Sequence, residues 1–242
     1  MTKVEAIEKV MLDNGGAASL DVIYKNICKY YPSAKDSKEW EAGIRGVLYR
    51  EIKNNRRFKK IGLSIYSTID YKEEQKPKAK EKDRMHSYIE GICIELGNFN
   101  GYLTYTADPS AVYRDNLRLC NFSTLHDIPD FSYEGITHEA KYIDVIWFNK
   151  VGYKFPKKIF EVVDSIGTLN GAFNRSLQLQ HFMAEFIIVA PERHHDKFIK
   201  TINMEIYQPQ KDRFRFINYD DVVEWYEHTA RKHELETTLF GL

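Results

Sequence analysis

The spacing of apolar residues in the first part of the chain predicts three short helices followed by a two-stranded hairpin. Apolar positions recur at helical spacing in three segments: Val4, Ile7, Val10 and Met11; Val22, Ile23, Ile27 and Cys28; and Ile44, Val47, Leu48 and Ile52. The first segment ends at Asn14-Gly15-Gly16, and the second stops before Pro32. From Arg56 to Thr68 the pattern alternates and turns at Gly62, as two antiparallel strands do. Three helices and such a hairpin predict a winged helix-turn-helix domain.

A polar segment separates this domain from the rest of the chain. Residues 71–83, YKEEQKPKAKEKD, include no apolar residue apart from Tyr71 and Ala79. This composition is typical of a solvated linker. We therefore predict a winged helix-turn-helix domain at residues 1–70, a linker at 71–83 and a second domain at 84–242.

The second domain has the pattern of a mixed α/β (α+β) fold. The predicted elements are a helix at 84–96, strands at 102–107, 142–148 and 158–163, a helix at 169–183, a strand at 185–190, a helix at 194–204, a strand at 213–217 and a terminal helix at 219–235. Gly97 and Gly101 are expected to end the first of these helices. Strands interspersed with helices in this order predict a central mixed sheet.

Two of the predicted strands carry a carboxylate inside an apolar run. Asp144 lies within Tyr142–Phe148, Glu161 lies within Lys158–Val163, and the short connection between them contains Gly152. The two runs therefore predict an antiparallel hairpin with the acids side by side. Two buried, unpaired carboxylates destabilise a fold unless a cation accompanies them. We predict that this cation is Mg²⁺, which binds carboxylates and phosphate oxygens and supports phosphodiester hydrolysis.

Composition narrows the class of protein. The chain has 242 residues, of which 43% are hydrophobic and 29% charged, as in ordinary soluble globular proteins. Charged residues interrupt the N-terminus, and no apolar stretch approaches the roughly 18 residues of a membrane span. Three scattered cysteines argue against a disulfide framework or a zinc site. We therefore expect a cytoplasmic protein without a membrane segment.

The formal net charge of zero divides unevenly along the chain. Residues 1–83 hold 18 Lys and Arg against 13 Asp and Glu, a net of +5. Of the totals of 35 and 35, this leaves 17 against 22, a net of −5, for residues 84–242. The basic part is the candidate for binding nucleic acid, and the acidic part is the candidate for binding metal.

A signature in the first domain points to DNA. It consists of Trp40, the helix Ile44–Ile52, Phe58-Lys59-Lys60-Ile61-Gly62 and Tyr66-Ser67. Over residues 3–70 the chain resembles the HARE-type helix-turn-helix, a winged-helix module of some restriction endonucleases, chromatin proteins and a bacterial RNA polymerase subunit. The resemblance implies that its helix and wing face double-stranded DNA through Arg45, Tyr49, Arg50, Arg56, Arg57, Lys59 and Lys60.

A second signature combines Asp144-Val-Ile-Trp-Phe148, Phe160-Glu-Val-Val-Asp-Ser165 and a following helix. With the element order, it resembles the PD-(D/E)XK nuclease fold of a branch of restriction endonucleases, over most of residues 84–228. The resemblance implies a Type II-like restriction endonuclease that hydrolyses DNA phosphodiesters with Mg²⁺. Asp144 and Glu161 would bind the metal. Cleavage of both DNA strands with one site per chain would require a homodimer.

One position departs from this pattern. Two residues after the Glu, the family carries Lys or a second Glu, and here that position is Val163, on the same strand face as Glu161. Arg175 and Gln178, three residues apart on a predicted helix, are the expected substitutes. Arg175 would contact the scissile phosphate and Gln178 would orient water or phosphate. Glu90 lies on the first helix of the domain, where some nucleases of this fold carry an additional acid.

The sequence leaves other interpretations of these residues open. The alternatives are an ion pair of Asp144 with Lys141 or Arg175, an ion pair of Glu161 with Lys158, and Asp164 as a cap of the turn at 165–167. Tyr49 could pack on the core, with the nearby cations solvated. The alternative to an enzyme is a catalytically inactive DNA-binding or regulatory protein with a degenerate nuclease domain. A winged helix that binds protein would be favoured if its basic wing packed against the second domain.

Overall fold

The structure is a computed structural model that describes residues 1–72, 82–114 and 117–240. Most of the predicted linker at 71–83 therefore lies outside the described residues, and the proposed domain boundaries stay predictions. Within the described ranges, no helix combines the length and apolar character needed to cross a membrane.

The N-terminal region contains three helices and a three-stranded antiparallel sheet. Its elements are α1 (Lys3–Asp13), β1 (Ala17–Ser19), α2 (Leu20–Asn26), α3 (Trp40–Lys53), β2 (Phe58–Lys60) and β3 (Ile65–Thr68). Strand β3 lies between β1 and β2 and pairs with both. The predicted helices and hairpin are present. Strand β1 was not predicted, because three residues are too few to show a period.

Local signals in the sequence explain where these helices begin and end. At the start of α1, Thr2 and Glu5 form a capping box in which each side chain accepts the other's backbone N–H. At the start of α2, Ser19 Oγ accepts the N–H of Val22 at 3.2 Å. Helix α1 ends at the predicted turn, Asn14–Gly16, where both glycines adopt positive φ.

The second region is built around a larger sheet. Its elements are α4 (Lys82–Phe99), β4 (Leu103–Thr106), β5 (Val112–Arg114), β6 (Leu117–Arg118), α5 (Glu134–Ala140), β7 (Val145–Phe148), β8 (Pro156–Val162), α6 (Leu169–Leu177), β9 (Glu185–Ala190), α7 (His195–Ile202), β10 (Phe214–Asn218) and α8 (Tyr219–Phe240). The five-stranded sheet has the order β10-β9-β8-β7-β4. Strands β4, β7 and β8 pair antiparallel, whereas β8, β9 and β10 pair parallel. The predicted mixed α/β fold with a central mixed sheet is confirmed.

Helices cover both faces of this sheet. Along β7, Val145 and Trp147 face a core shared with α4 and α8, whereas Ile146 and Phe148 face a core shared with α6 and α7. A strand that is buried on both faces has a continuous run of apolar residues in the sequence. For this reason, the sequence of β7 does not alternate between apolar and polar residues. A buried acid in such a strand is therefore conspicuous.

The predicted C-terminal end of α4 is wrong. The helix continues through Gly97 to Phe99 instead of ending at Leu96. A Cβ added at Gly97 would lie 2.6 Å from Thr104 Cγ2 and 2.6 Å from Trp147 Nε1. Gly97 is therefore a point of close approach between helix and sheet, and the chain turns only at Gly101, where φ is +79°.

The predicted end of α6 is also wrong, because this helix stops at Leu177 instead of continuing to Met183. The guanidinium of Arg213 donates to the backbone carbonyls of Gln180, Phe182 and Ala184. These long-range hydrogen bonds hold a non-helical turn where the sequence pattern favoured helix. The prediction also missed β5, β6 and α5, which lie in a stretch expected to be irregular, and α8 extends beyond its predicted end at residue 235.

The hairpin of the N-terminal region packs against the second region through buried polar contacts. Leu63, in the turn between β2 and β3, donates its N–H to Glu95 Oε2 of α4 at 2.9 Å. The hydroxyl of Tyr226 from α8 donates to the same carboxylate at 3.0 Å. Arg114 of β5 donates to the backbone carbonyl of Ile61 at 2.6 Å. The tip of the predicted basic wing therefore lies against the second region.

Candidate active site

Two acidic side chains lie opposite each other at one end of the larger sheet. Val145 of β7 pairs with Phe160 of β8, so the antiparallel register places Asp144 opposite Glu161. Glu161 is fully buried, and the side chain of Asp144 is 15% exposed. Asp144 Oδ2 accepts the N–H of Val162 at 2.7 Å, which fixes the carboxylate at the strand end. The structure thus brings together the two acids that the sequence singled out.

Arg175 of α6 engages both oxygens of Glu161. Its Nε donates to Glu161 Oε1 at 2.9 Å, and its Nη2 donates to Oε2. This bidentate geometry is the strongest form of guanidinium–carboxylate pairing. The pairing of Glu161 with Lys158 that the sequence left open is wrong, because Lys158 binds Glu185 of β9 at 2.8 Å.

A histidine that the sequence did not single out lies beside these acids. His86 of α4 places its Nε2 at 3.5 Å from Glu90 Oε1 and at 3.9 Å from Asp144 Oδ2. The ligand atoms of these three residues all lie within 4.8 Å of one another, close enough to hold one metal ion. The expected extra acid on the first helix, Glu90, is therefore brought to Asp144. The available signal for His86 was its spacing of four residues from Glu90, which places both on one helical face.

Asp164 orients this histidine from the other side of the ring. His86 Nδ1 lies 2.8 Å from Asp164 Oδ2, and the hydroxyl of Tyr219 donates to Asp164 Oδ1 at 2.5 Å. The predicted role of Asp164 as a turn cap is wrong. Within the turn, the N–H of Gly167 donates to Ser165 Oγ at 3.4 Å, and not to Asp164. Asp164 therefore joins the strand end to α4 and to the start of α8.

Burial sets the protonation behaviour of the cluster. Burial raises the pKa of Asp144, raises that of Glu90 to about 7, and raises that of Glu161, which the paired guanidinium of Arg175 opposes. Burial would lower the pKa of His86, but the Asp164 and Glu90 carboxylates outweigh it and raise this pKa to about 11. Burial likewise opposes the ionisation of Asp164, yet its hydrogen bonds to His86 and Tyr219 lower its pKa.

An open cavity of about 540 Å³ lies beside the cluster. Its walls come from α4, from the segment between β4 and β5, from the start of β5 and from the segment that follows β8, and they include Arg84, His86, Glu90, Asp108, Val112 and Asp164. Carboxylates and an imidazole thus face a space that is large enough to admit part of a substrate.

The remaining predicted site positions are placed differently. Val163 is 1% exposed and packs in the same apolar core as Ile159 and Leu169, so no charged group replaces the family's Lys or Glu there. Gln178 is the residue that caps the end of α6, and it is exposed. In the part of the chain that the structure describes, no hydrogen bond joins Gln178 to Asp144 or Glu161.

The predicted DNA-binding residues of the N-terminal region do not form one uniform surface. Arg50 and Arg56 are exposed. Arg45 donates to the hydroxyl of Tyr24 at 2.9 Å. Arg57 forms an ion pair with Glu8 at 2.8 Å. These four arginines remain at least partly accessible to solvent.

The other three predicted DNA-binding residues are engaged with protein. Lys59 donates to the backbone carbonyl of Tyr71 at 2.5 Å. Burial lowers the pKa of Lys60, and the nearby acids Glu234 and Glu95 oppose this shift. Tyr49 is partly buried and packs against the N-terminal core, which agrees with the structural interpretation of this residue.

Comparison with known protein families gave a match for this chain. Neither the search of curated proteins nor the search of solved structures gave a match. A family model described as the C-terminal domain of the Type II restriction enzyme NmeDI matches residues 68–238. The matched segment contains the whole larger sheet, the carboxylate pair and His86. The chain therefore belongs to the family of the Type II restriction enzyme NmeDI C-terminal domain.

Proposed function

We propose that this protein is a Mg²⁺-dependent endodeoxyribonuclease of the Type II restriction kind, which hydrolyses phosphodiesters of double-stranded DNA. The observation that carries the proposal is the pair Asp144 and Glu161, which lie opposite each other at the end of a mixed sheet in a restriction-enzyme family. Glu90 adds a third carboxylate, and the cavity beside them is open to solvent. The convergence of acids at such a cavity supports metal-assisted hydrolysis.

Asp144 and Glu161 are the proposed Mg²⁺ ligands, and Glu90 is a further acid of the same site. The residues fit a divalent ion, because the carboxylates of Asp144 and Glu90 lie within ligand distance of a common position in a buried setting. When bound, the ion supplies polarisation of the phosphodiester and compensation of developing negative charge. The backbone N–H of Val162 donates a hydrogen bond to Asp144 and so holds this carboxylate in position for the ion.

Arg175 is the proposed contact of the scissile phosphate. Its guanidinium holds Glu161 in the absence of DNA, and its side chain remains about one-third exposed. A guanidinium binds phosphate oxygens with the same fork geometry that it uses for a carboxylate. Gln178, exposed at the end of the same helix, is the proposed group that orients water or phosphate.

The N-terminal region is the proposed DNA-docking module, of the HARE type. Its support is the basic charge of residues 1–83, the presence of the expected helices and hairpin, and the accessible arginines near α3. The wing tip packs against the second region, which favours the alternative that the wing binds protein. The DNA-docking surface proposed here therefore centres on Arg45, Arg50 and Arg56 and leaves the wing tip out. One site per chain acting on two DNA strands supports a homodimer as the active form.

A second candidate is a DNA-binding or regulatory protein whose nuclease domain is inactive. Two observations favour it: Val163 is buried among apolar side chains, and Arg175 already neutralises Glu161. We favour the enzyme because Asp144, Glu161 and Glu90 are all present and Glu90 lines an open cavity.

The proposal is tested by removing the acids one at a time. Asp144→Ala and Glu161→Ala should each abolish Mg²⁺-dependent cleavage while DNA binding, measured by gel shift, persists. The matched control is Asp196→Ala, which changes an exposed acid in the first turn of α7. Loss of both DNA binding and thermal stability in the two site variants would identify the acids as structural.

A further inference from the structure

We propose that His86, Glu90 and Asp144 form a cation position that binds Mn²⁺ more tightly than Mg²⁺, and that Asp164 and Tyr219 hold His86 in its ligating orientation. The inference rests on the proposed function, because it concerns the ion of the same site. It adds a nitrogen ligand that the nuclease signature in the sequence does not contain. It also names the ion that this ligand set favours.

The three donors converge from two separate elements. His86 and Glu90 lie one turn apart on α4, and Asp144 lies at the start of β7. Their nearest ligand atoms lie within 4.8 Å of one another. Donors on two rigid elements define a position more closely than donors on a loop.

The contacts of the imidazole ring determine which nitrogen faces the acids. Asp164 Oδ1 accepts a hydrogen bond from the hydroxyl of Tyr219, and Asp164 Oδ2 lies 2.8 Å from Nδ1 of His86. Because an ionised carboxylate only accepts hydrogen bonds, Nδ1 of His86 carries a hydrogen and donates it to Asp164. Nε2 is then directed at Glu90 and Asp144. Because these carboxylates and Asp164 outweigh burial and raise the pKa of His86 to about 11, Nε2 holds a proton at neutral pH, and a bound ion would replace that proton. A histidine that ligates a metal characteristically donates its other ring N–H to a carboxylate, and this arrangement is present.

The Glu90 carboxylate is more available to a metal ion than the Glu161 carboxylate. Both oxygens of Glu161 accept hydrogen bonds from Arg175. Glu90 is 2% exposed, and its contact with His86 Nε2, at 3.5 Å, is longer than a good hydrogen bond. A buried carboxylate with such a weak partner is well placed to bind a cation. The helix side of Asp144 is therefore prepared to receive an ion, and Glu161 can join the same ion once Arg175 releases one of its oxygens.

The ligand chemistry selects among divalent ions. Mg²⁺ is a hard cation that takes oxygen ligands in a strict octahedron and gives up its water reluctantly. An imidazole ligand suits first-row transition metals, and carboxylates suit Mn²⁺ as well as Mg²⁺. One imidazole and two carboxylates therefore favour Mn²⁺, with water or phosphate oxygens free to occupy the remaining positions.

The test is Mn²⁺ binding by the full chain without DNA, measured by titration calorimetry and by pulsed electron paramagnetic resonance, which detects nitrogen bound to Mn²⁺. Wild type should bind Mn²⁺ more tightly than Mg²⁺ and show nitrogen coupling. His86→Gln should abolish the nitrogen coupling and weaken Mn²⁺ binding by about tenfold or more, whereas Mg²⁺ binding should change less. Asp164→Asn should weaken Mn²⁺ binding by about 10- to 100-fold, the range found for partners of metal-ligating histidines.

His228→Ala is the matched control. His228 also faces a glutamate one turn away, Glu224 at 3.2 Å, but this pair lies exposed on α8. The control should leave both ion affinities unchanged. Circular dichroism of each variant separates loss of a ligand from loss of fold, and His86→Ala provides a second substitution if the Gln variant misfolds.

Wild-type Mn²⁺ without nitrogen coupling, or Mn²⁺ affinity that is unchanged or raised in folded His86→Gln, would overturn the inference. A raised affinity would identify His86 as a cation that competes with the metal. These outcomes are independent of DNA cleavage. Nitrogen coupling without cleavage would contradict only the proposed function, and cleavage without nitrogen coupling would contradict only this inference.

Discussion

At the scale of single residues, the site holds acids in positions that weaken the fold when they ionise. Glu90 is the clearest case, because burial raises its pKa from 4.5 to about 7. A carboxyl group with a raised folded-state pKa favours the folded state in its protonated form. Its favourable contribution is complete below pH 4.5, and it is lost as the pH rises through about 7.

Glu90→Gln should therefore raise the free energy of unfolding at pH 8, measured by denaturant titration in the presence of a chelator. The expected gain is on the order of 1–3 kcal/mol, because one pKa unit corresponds to about 1.4 kcal/mol. Wild type and variant should converge as the pH falls towards 4.5. Glu39→Gln, at an exposed position, is the control and should change little. A variant that is less stable than wild type at pH 8 would show that Glu90 is held by contacts that favour its charge.

At the scale of elements, the sequence predicted what local chemistry determines. Helix α1 follows from its apolar face and from the stop at Asn14-Gly15-Gly16, and strands β7, β8 and β9 follow from their apolar runs. The register that places Asp144 opposite Glu161 follows from the short hairpin connection. These features depend on neighbours in the sequence, and the structure confirms them.

The sequence could not predict what distant contacts determine. Helix α6 ends early because Arg213, on a remote segment, binds the carbonyls that follow it. His86 was missed because its role depends on Asp164 and Tyr219, 78 and 133 residues away by their numbering. The carboxylates of the site stood out because apolar neighbours surrounded them, whereas a histidine in a polar helix start carries no such signal.

Gly97→Ala tests the close approach that made the α4 prediction wrong. Alanine is the better helix former, but its Cβ would lie 2.6 Å from Thr104 and Trp147 atoms. We expect a decrease of roughly 1–3 kcal/mol in unfolding free energy, as for other overpacked cores. The control is Gly46→Ala in α3, where an added Cβ meets no described heavy atom within 4 Å, and this change should stabilise by up to about 1 kcal/mol. Equal effects of the two substitutions would contradict the packing explanation.

At the scale of the whole molecule, the N-terminal region is attached to the second region by its own wing. Glu95 is 1% exposed and accepts hydrogen bonds from Leu63 and Tyr226, so α4 carries this contact and the candidate site on one helix. The wing tip is therefore not available to DNA in the way that the sequence signature suggested. The accessible arginines near α3 become the main candidates for docking.

The accessible arginines and the wing lysines should therefore differ in how much they contribute to the salt dependence of DNA binding. The triple variant Arg45→Ala, Arg50→Ala and Arg56→Ala should reduce the slope of the logarithm of the DNA association constant against the logarithm of salt concentration, by about 0.9 for each DNA phosphate that is no longer neutralised. The double variant Lys59→Ala and Lys60→Ala should change that slope much less, because protein groups already surround these lysines. Gel shifts across a salt series provide the measurement. The reverse order of effects would restore the wing as the docking surface.

The most direct test of the central claim is cleavage by the wild-type protein. Purified protein is incubated with a mixed duplex library, including DNA with modified bases, in the presence of Mg²⁺ or Mn²⁺ and with a chelator as the control. The proposed site predicts metal-dependent double-strand breaks with defined ends, which the chelator abolishes. DNA that is bound but stays intact with both ions would contradict the proposed activity and identify the protein as an inactive member of its family.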